Sequence, residues 1–117
     1  MVIFSIFLFA AFLWALFLPE AAHAATPALK MLSTPSCSAC ARMEQILNEL
    51  SKKYEGKVTT EKINLQKHPE IAKRHNVRYV PHLLFLNADG NVFKEETGVL
   101  PLDKVLRTFK EAGISIE

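Results

Sequence analysis

The chain has 117 residues, half of them apolar, with 14 Lys and Arg against 12 Asp and Glu for a formal charge of +2. That length holds a single domain. The charges are interspersed apart from short clusters such as Lys52-Lys53 and Lys73-Arg74, which excludes a basic nucleic-acid-binding arm and leaves a solvated, mildly basic surface.

From Val2 to Leu18 every residue but Ser5 is apolar, and Pro19, Glu20 and the small-residue run Ala21-Ala22-His23-Ala24-Ala25 follow. An apolar core followed by Ala22-His23-Ala24 is the pattern of a secretory signal peptide cut after Ala24, although no Lys or Arg precedes it. The run of 17 residues also reaches the lower edge of the roughly 17–25 that cross a bilayer, so an uncleaved membrane anchor is the second reading. A buried core helix is the third, disfavoured because the run has no polar face to offer water. Residues 1–24 are thus expected to be a signal peptide or membrane anchor and residues 25–117 the working domain. Either of the first two readings delivers that domain outside the cytoplasm, to the periplasm in a bacterium, with membrane attachment only if the leader stays uncut. Setting Glu20 aside leaves 14 basic and 11 acidic residues, a charge of +3.

Leu29 to Leu32 reads as a short apolar strand, ended by Ser33-Thr34-Pro35-Ser36. Met43, Ile46, Leu47, Leu50 and Tyr54 then recur at helical spacing, with Arg42, Glu44, Gln45, Glu49, Lys52 and Lys53 on the opposite face, predicting a long helix that Gly56 ends. Val58 to Leu65 is a second strand, with Val58, Ile63 and Leu65 as its apolar members. His68-Pro69 opens a short helix to about His75, with proline where its missing N–H does no harm. Val77 to Val80 is extended and leads into Pro81. Leu83 to Leu86 is an unbroken apolar run, as expected of a strand buried on both faces. Asn87 to Asn91 is a hairpin turn with Val92 to Thr97 as its return strand. A last helix begins at Pro101, carries Leu102, Val105, Leu106 and Phe109 on one face, and stops at Gly113. The order predicts an α/β fold: the strands separated by helices should run parallel through right-handed crossovers, and the hairpin adds an antiparallel edge.

Exactly two cysteines occur, Cys37 and Cys40. An oxidising compartment permits a disulfide between them, but so short a loop constrains the unfolded chain little, so the pair is better explained by chemistry than by stapling. The first cysteine falls at the start of the long helix, where unpaired N–H groups and the positive end of the helix dipole favour thiolate. The second lies one turn further in and is expected to be more shielded. That inequality makes Cys37 the candidate nucleophile and Cys40 the candidate resolving thiol. A metal clip is the competing reading, but one pair supplies two soft ligands where a closed zinc site takes four, and His68, His75 and His82 stand at no zinc-finger spacing to it. No metal and no cofactor other than the redox pair is expected.

The stretch from about Leu29 to Ala112 resembles the thioredoxin family. Cys37-Ser38-Ala39-Cys40 at a strand-to-helix junction near a βαβ pattern is the family's mark. Lys62-Ile63-Asn64-Leu65, His68-Pro69 and Val77-Arg78-Tyr79-Val80-Pro81 match its central strand, the helix after it and the approach to its cis-proline. Asp89-Gly90-Asn91-Val92 resembles its hairpin, and Gly98 the glycine after the last strand. The resemblance implies a three-layer sandwich around a four-stranded mixed sheet, with the family's opening strand and helix missing. It implies a cis Val80–Pro81 bond beside Cys37, where an isolated turn proline would be the ordinary expectation, and a substrate edge made by Val80 with Ser36 and His82 as its neighbours. Ser36 stands where the family usually has Trp, and Ser38-Ala39 where it has Gly-Pro. Met31 replaces the buried acid that assists the resolving cysteine, leaving water, the substrate or Lys62 as the route for the Cys40 proton.

The function this implies is extracytoplasmic thiol–disulfide exchange with protein cysteines, in the reducing direction because no charge or imidazole lies between the two cysteines. Its partners would be proteins bearing thiols or disulfides and a transmembrane thiol-electron carrier, with no nucleic acid. The alternative is a thioredoxin-fold metal- or peptide-binding module without redox turnover.

Overall fold

Alternation and helical spacing assemble into seven elements in the computed structural model, which describes residues 25–116. They are β1 (Ala28–Ser33), α1 (Ser38–Lys53), β2 (Thr59–Asn64), α2 (Pro69–Arg74), β3 (His82–Leu86), β4 (Val92–Thr97) and α3 (Leu102–Glu111). The signal-peptide or anchor reading of residues 1–24 lies outside the described residues. Among the described residues no helix is long and apolar enough to cross a membrane.

The four strands form one mixed sheet in the order β2-β1-β3-β4. Successive side chains of a strand point to opposite faces, and the core divides accordingly. Leu29, Met31, Leu83 and Phe85 face α1 and α3, where they meet Met43, Leu47, Leu50, Val105 and Phe109. Leu32, Leu84 and Leu86 face the other way, against Leu65 and the flank formed by Ile71, Ala72 and Val77. Both faces of β3 are therefore covered, as its apolar run predicts, and all five of its residues are buried. On the α3 side three aromatic rings close the packing, with Phe109 set edge-on to Phe85 at 5.2 Å and to Phe93 at 5.9 Å between centroids.

The expected strand directions need one correction. β1 and β2 are parallel, but β3 runs antiparallel to β1. The reason lies in where the connection travels. β2 ends opposite the end of β1, with Asn64 beside Ser33, and β3 begins at that same end, with His82 beside Leu32. α2 has only six residues and does not carry the chain back along the sheet, so the next strand must return the way β2 came. β4 then pairs with β3 through a turn in which the Asn87 side chain accepts from the N–H groups of Asp89 and Asn91, both at 3.0 Å. Gly90 there has a φ of +86°, a conformation that a Cβ would penalise.

Candidate active site

The turn after β1 delivers Cys37 to the helix start. Ser36, exposed and with a φ of +60°, reverses the chain, and Cys37 becomes the N-cap of α1 in an extended conformation. Its sulfur accepts the Cys40 N–H at 3.1 Å, and its carbonyl accepts the Ala41 N–H at 3.1 Å. One of the orphan donors of the helix start is thus aimed at sulfur, and the same donor, with the helix dipole behind it, would hold a thiolate there. Cys37 and Cys40 are joined as a disulfide, with Cα atoms 5.2 Å apart. The two sulfurs are not equivalent. Cys40 belongs to the buried core at 5% exposure, whereas Cys37 is half-buried and packs at the rim of the same cluster. A partner arriving from solvent meets Cys37 first.

Because β3 begins beside the end of β1, the segment leading into β3 lies at the same end of the sheet as the Ser33–Cys37 turn. The Val80–Pro81 bond is cis. Pro81 is fully buried, and its carbonyl accepts the Gly98 N–H at 2.8 Å. Val80 packs against both core clusters, yet among the described residues neither its N–H nor its C=O has a hydrogen-bond partner. Tyr79, just before it, is 73% exposed. The geometry thus leaves one unpaired peptide unit and one bare aromatic ring at the cysteine end of the sheet.

Met31 is fully buried in the cluster that holds Cys40, so no acid faces the Cys40 sulfur from this position. Lys62 pairs in register with Met31 on β2, but its ammonium donates to Glu44 at 3.1 Å, one turn of α1 beyond Cys40. Among the described residues it makes no hydrogen bond to Cys40.

His82, expected beside the substrate edge, packs into the fold. Strand alternation puts it on the face of Leu84 and Leu86, and it is only 9% exposed. Its Nε2 lies 2.9 Å from Glu95 Oε1, and His75 Nδ1 lies 3.0 Å from the same oxygen. Glu95 is therefore held below the usual carboxylate range, chiefly by the His82 hydrogen bond and against the opposing effect of burial. Reading the sequence singles out neither Glu95 nor its tie to His75. The available signal is the hairpin register, which places Glu95 opposite Leu84 and so on the face of His82.

Among the described residues no cluster of three or more His, Cys, Asp or Glu side chains is arranged to hold a metal ion. A concavity of about 480 Å³ runs along α3 between Asp103 and Ile116 and includes none of these site residues.

Comparison with known proteins agrees with the geometry. The family model for thioredoxin matches residues 17–111. Thioredoxin C-2 of Corynebacterium nephridii is 32% identical over 89 residues, covering 76% of this chain and 82% of that relative. Thioredoxin 1 of a Nostoc species is 24% identical over 95 residues, covering 81% and 88%. Among solved structures, a thioredoxin-like protein from Clostridium perfringens superposes with a TM-score of 0.69 at 27% identity, covering 81% of this chain and 77% of that one. A malaria-parasite thioredoxin-2 superposes at 0.67 and 17% identity, covering 74% and 82%, which speaks for the fold alone. With its paired cysteines on a helix start of this sheet, the chain belongs to the thioredoxin family and is a protein thiol–disulfide oxidoreductase.

Proposed function

We propose that this oxidoreductase is exported and works as a reductase of protein disulfides outside the cytoplasm. The observation that carries the division of labour is the unequal burial of the two sulfurs at the start of α1. Cys37 thiolate attacks a substrate disulfide, forms a mixed disulfide with one substrate sulfur and expels the other as thiolate. Cys40 then attacks the Cys37 sulfur, closes the Cys37–Cys40 disulfide and releases the second substrate thiolate. With Met31 in place of an acid, the proton of Cys40 leaves to water or to the first departing thiolate, and Lys62 stays engaged with Glu44. The free peptide unit of Val80 receives the substrate chain by strand-like hydrogen bonds, with Ser36 on the opposite wall, and Pro81 holds that edge beside Cys37.

Turnover in this direction needs a dithiol donor to return Cys37 and Cys40 to the reduced state. For an exported chain a transmembrane thiol-electron carrier fills that role. The apolar run and Ala22-His23-Ala24 support export by a cleaved leader.

Two measurements test the proposal. Reduction of insulin disulfides with a dithiol donor should proceed with the wild type and stop in Cys37→Ser; equal rates would refute the enzyme. In cells, the mass of the mature chain should correspond to a start at Ala25 in the envelope, or to a full-length membrane-bound form if the leader is an anchor. A full-length chain found only in the cytosol would refute export.

A further inference from the structure

The connection between α2 and β3 is tied at both ends to one carboxylate oxygen. His75 is the C-cap of α2 and His82 the first residue of β3, and their rings meet Glu95 Oε1 at 3.0 and 2.9 Å. A carboxylate only accepts, so both contacting nitrogens carry hydrogen. Between these ties the segment has few bonds of its own. Asn76 N–H reaches Lys73 O at 3.2 Å, Val77 N–H reaches Ala72 O at 2.9 Å, and Pro81 O receives Gly98 N–H at 2.8 Å. Asn76 sits at a φ of +50°, Tyr79 is bare, and Val80 has both backbone groups unpaired. A stretch with so little internal bonding takes its position from what holds its ends.

We propose that Glu95 is a positioning residue for the substrate edge: by accepting from both His75 and His82 it fixes the two ends of segment 76–81, and so sets where the Val80 peptide unit and the Tyr79 ring meet a protein substrate. The inference rests on the substrate-binding role given to Val80 above. Glu95 touches neither sulfur, so it acts on binding of a chain and not on exchange at Cys37. An edge held in place before binding loses less freedom when the substrate docks.

The test uses the full chain and two substrates, insulin as a protein disulfide and dithiobis(nitrobenzoate) as a small one that needs no edge. Glu95→Ala should raise KM for insulin about tenfold, the scale of one charge-assisted hydrogen bond lost, with kcat and the small-disulfide rate within about twofold of wild type. Glu95→Gln keeps an acceptor oxygen and should restore KM to within about threefold of wild type. An unchanged KM in the alanine variant, an equal fall in the small-disulfide rate, or a glutamine variant no better than alanine would each overturn the proposal. If Glu95→Ala does not fold, His75→Ala removes one tie at a helix end and should raise KM by a smaller factor; an unchanged KM there overturns it too. A wild type inactive on both substrates would instead refute the redox reading on which the proposal stands.

Discussion

Met31 has no exposed surface and shares its core cluster with Cys40, Met43 and Leu83, so replacing it by aspartate tests whether Cys40 sits above an apolar floor. Truncating a buried methionine costs about 2–5 kcal/mol. Burying a carboxyl group without a partner adds roughly 1–3 kcal/mol even when it is neutral. Together these rival a substantial share of the about 5–15 kcal/mol that holds a typical domain together. At ~4–8 °C per kcal/mol for a domain of this size, the melting temperature should fall by about 12 °C or more.

The pH dependence of that loss has a definite sign. Burial raises the pKa of the new carboxyl above its unfolded value of about 3.9. The folded variant then keeps a proton that the unfolded chain gives up, so the penalty grows as pH rises from the unfolded pKa toward the folded one. Thermal unfolding of the oxidised proteins at about pH 5 and about pH 8 reads the difference between wild type and variant. Met31→Leu, which nearly conserves volume, should stay within about 1.5 kcal/mol of wild type. An aspartate variant as stable as wild type at the higher pH, or a penalty that shrinks as pH rises, would refute the dry floor beneath Cys40.

Cys40→Ala should leave Cys37 able to attack but unable to be released, so a mixed disulfide with the substrate accumulates and is visible by intact mass; free turnover would contradict the assigned roles. Phe109→Ala removes a fully buried ring and its edge-on contacts with Phe85 and Phe93, and should cost about 3–5 kcal/mol in a urea titration; a loss within experimental error would contradict the packing. Glu95 has a depressed pKa, so its charged form stabilises the fold above the unfolded carboxylate pKa, and that contribution is lost as pH falls through the depressed value. Glu95→Gln should therefore be less stable than wild type at neutral pH, with the gap closing as acid protonates the carboxylate; a gap that persists in acid would contradict the linkage.

Much of this architecture is legible because single segments carry strong periodicity. The face of α1 reads directly from Met43, Leu47 and Leu50, all buried, with Ile46 and Tyr54 packed beside them. β4 and its turn follow from Asn87 to Asn91, where the Asn87 side chain closes the loop. The direction of β3 does not read this way, because it depends on where residues 65–81 travel and not on any local pattern. The site divides likewise. Cys37 announces itself by its place at a strand-to-helix junction. His82 follows Pro81 in the chain, yet its partner Glu95 is 13 residues away and is chosen by hairpin register. Lys62 reads as a route for the Cys40 proton, and only the fold brings Glu44 to it. What escapes the sequence is pairing across elements.

The equilibrium reduction potential of the Cys37–Cys40 pair, measured against a thiol buffer of known potential, tests the central claim most directly. A protein reductase should lie close to about −270 mV, whereas a value approaching about −120 mV, that of a strong disulfide donor, would contradict the direction proposed for this pair.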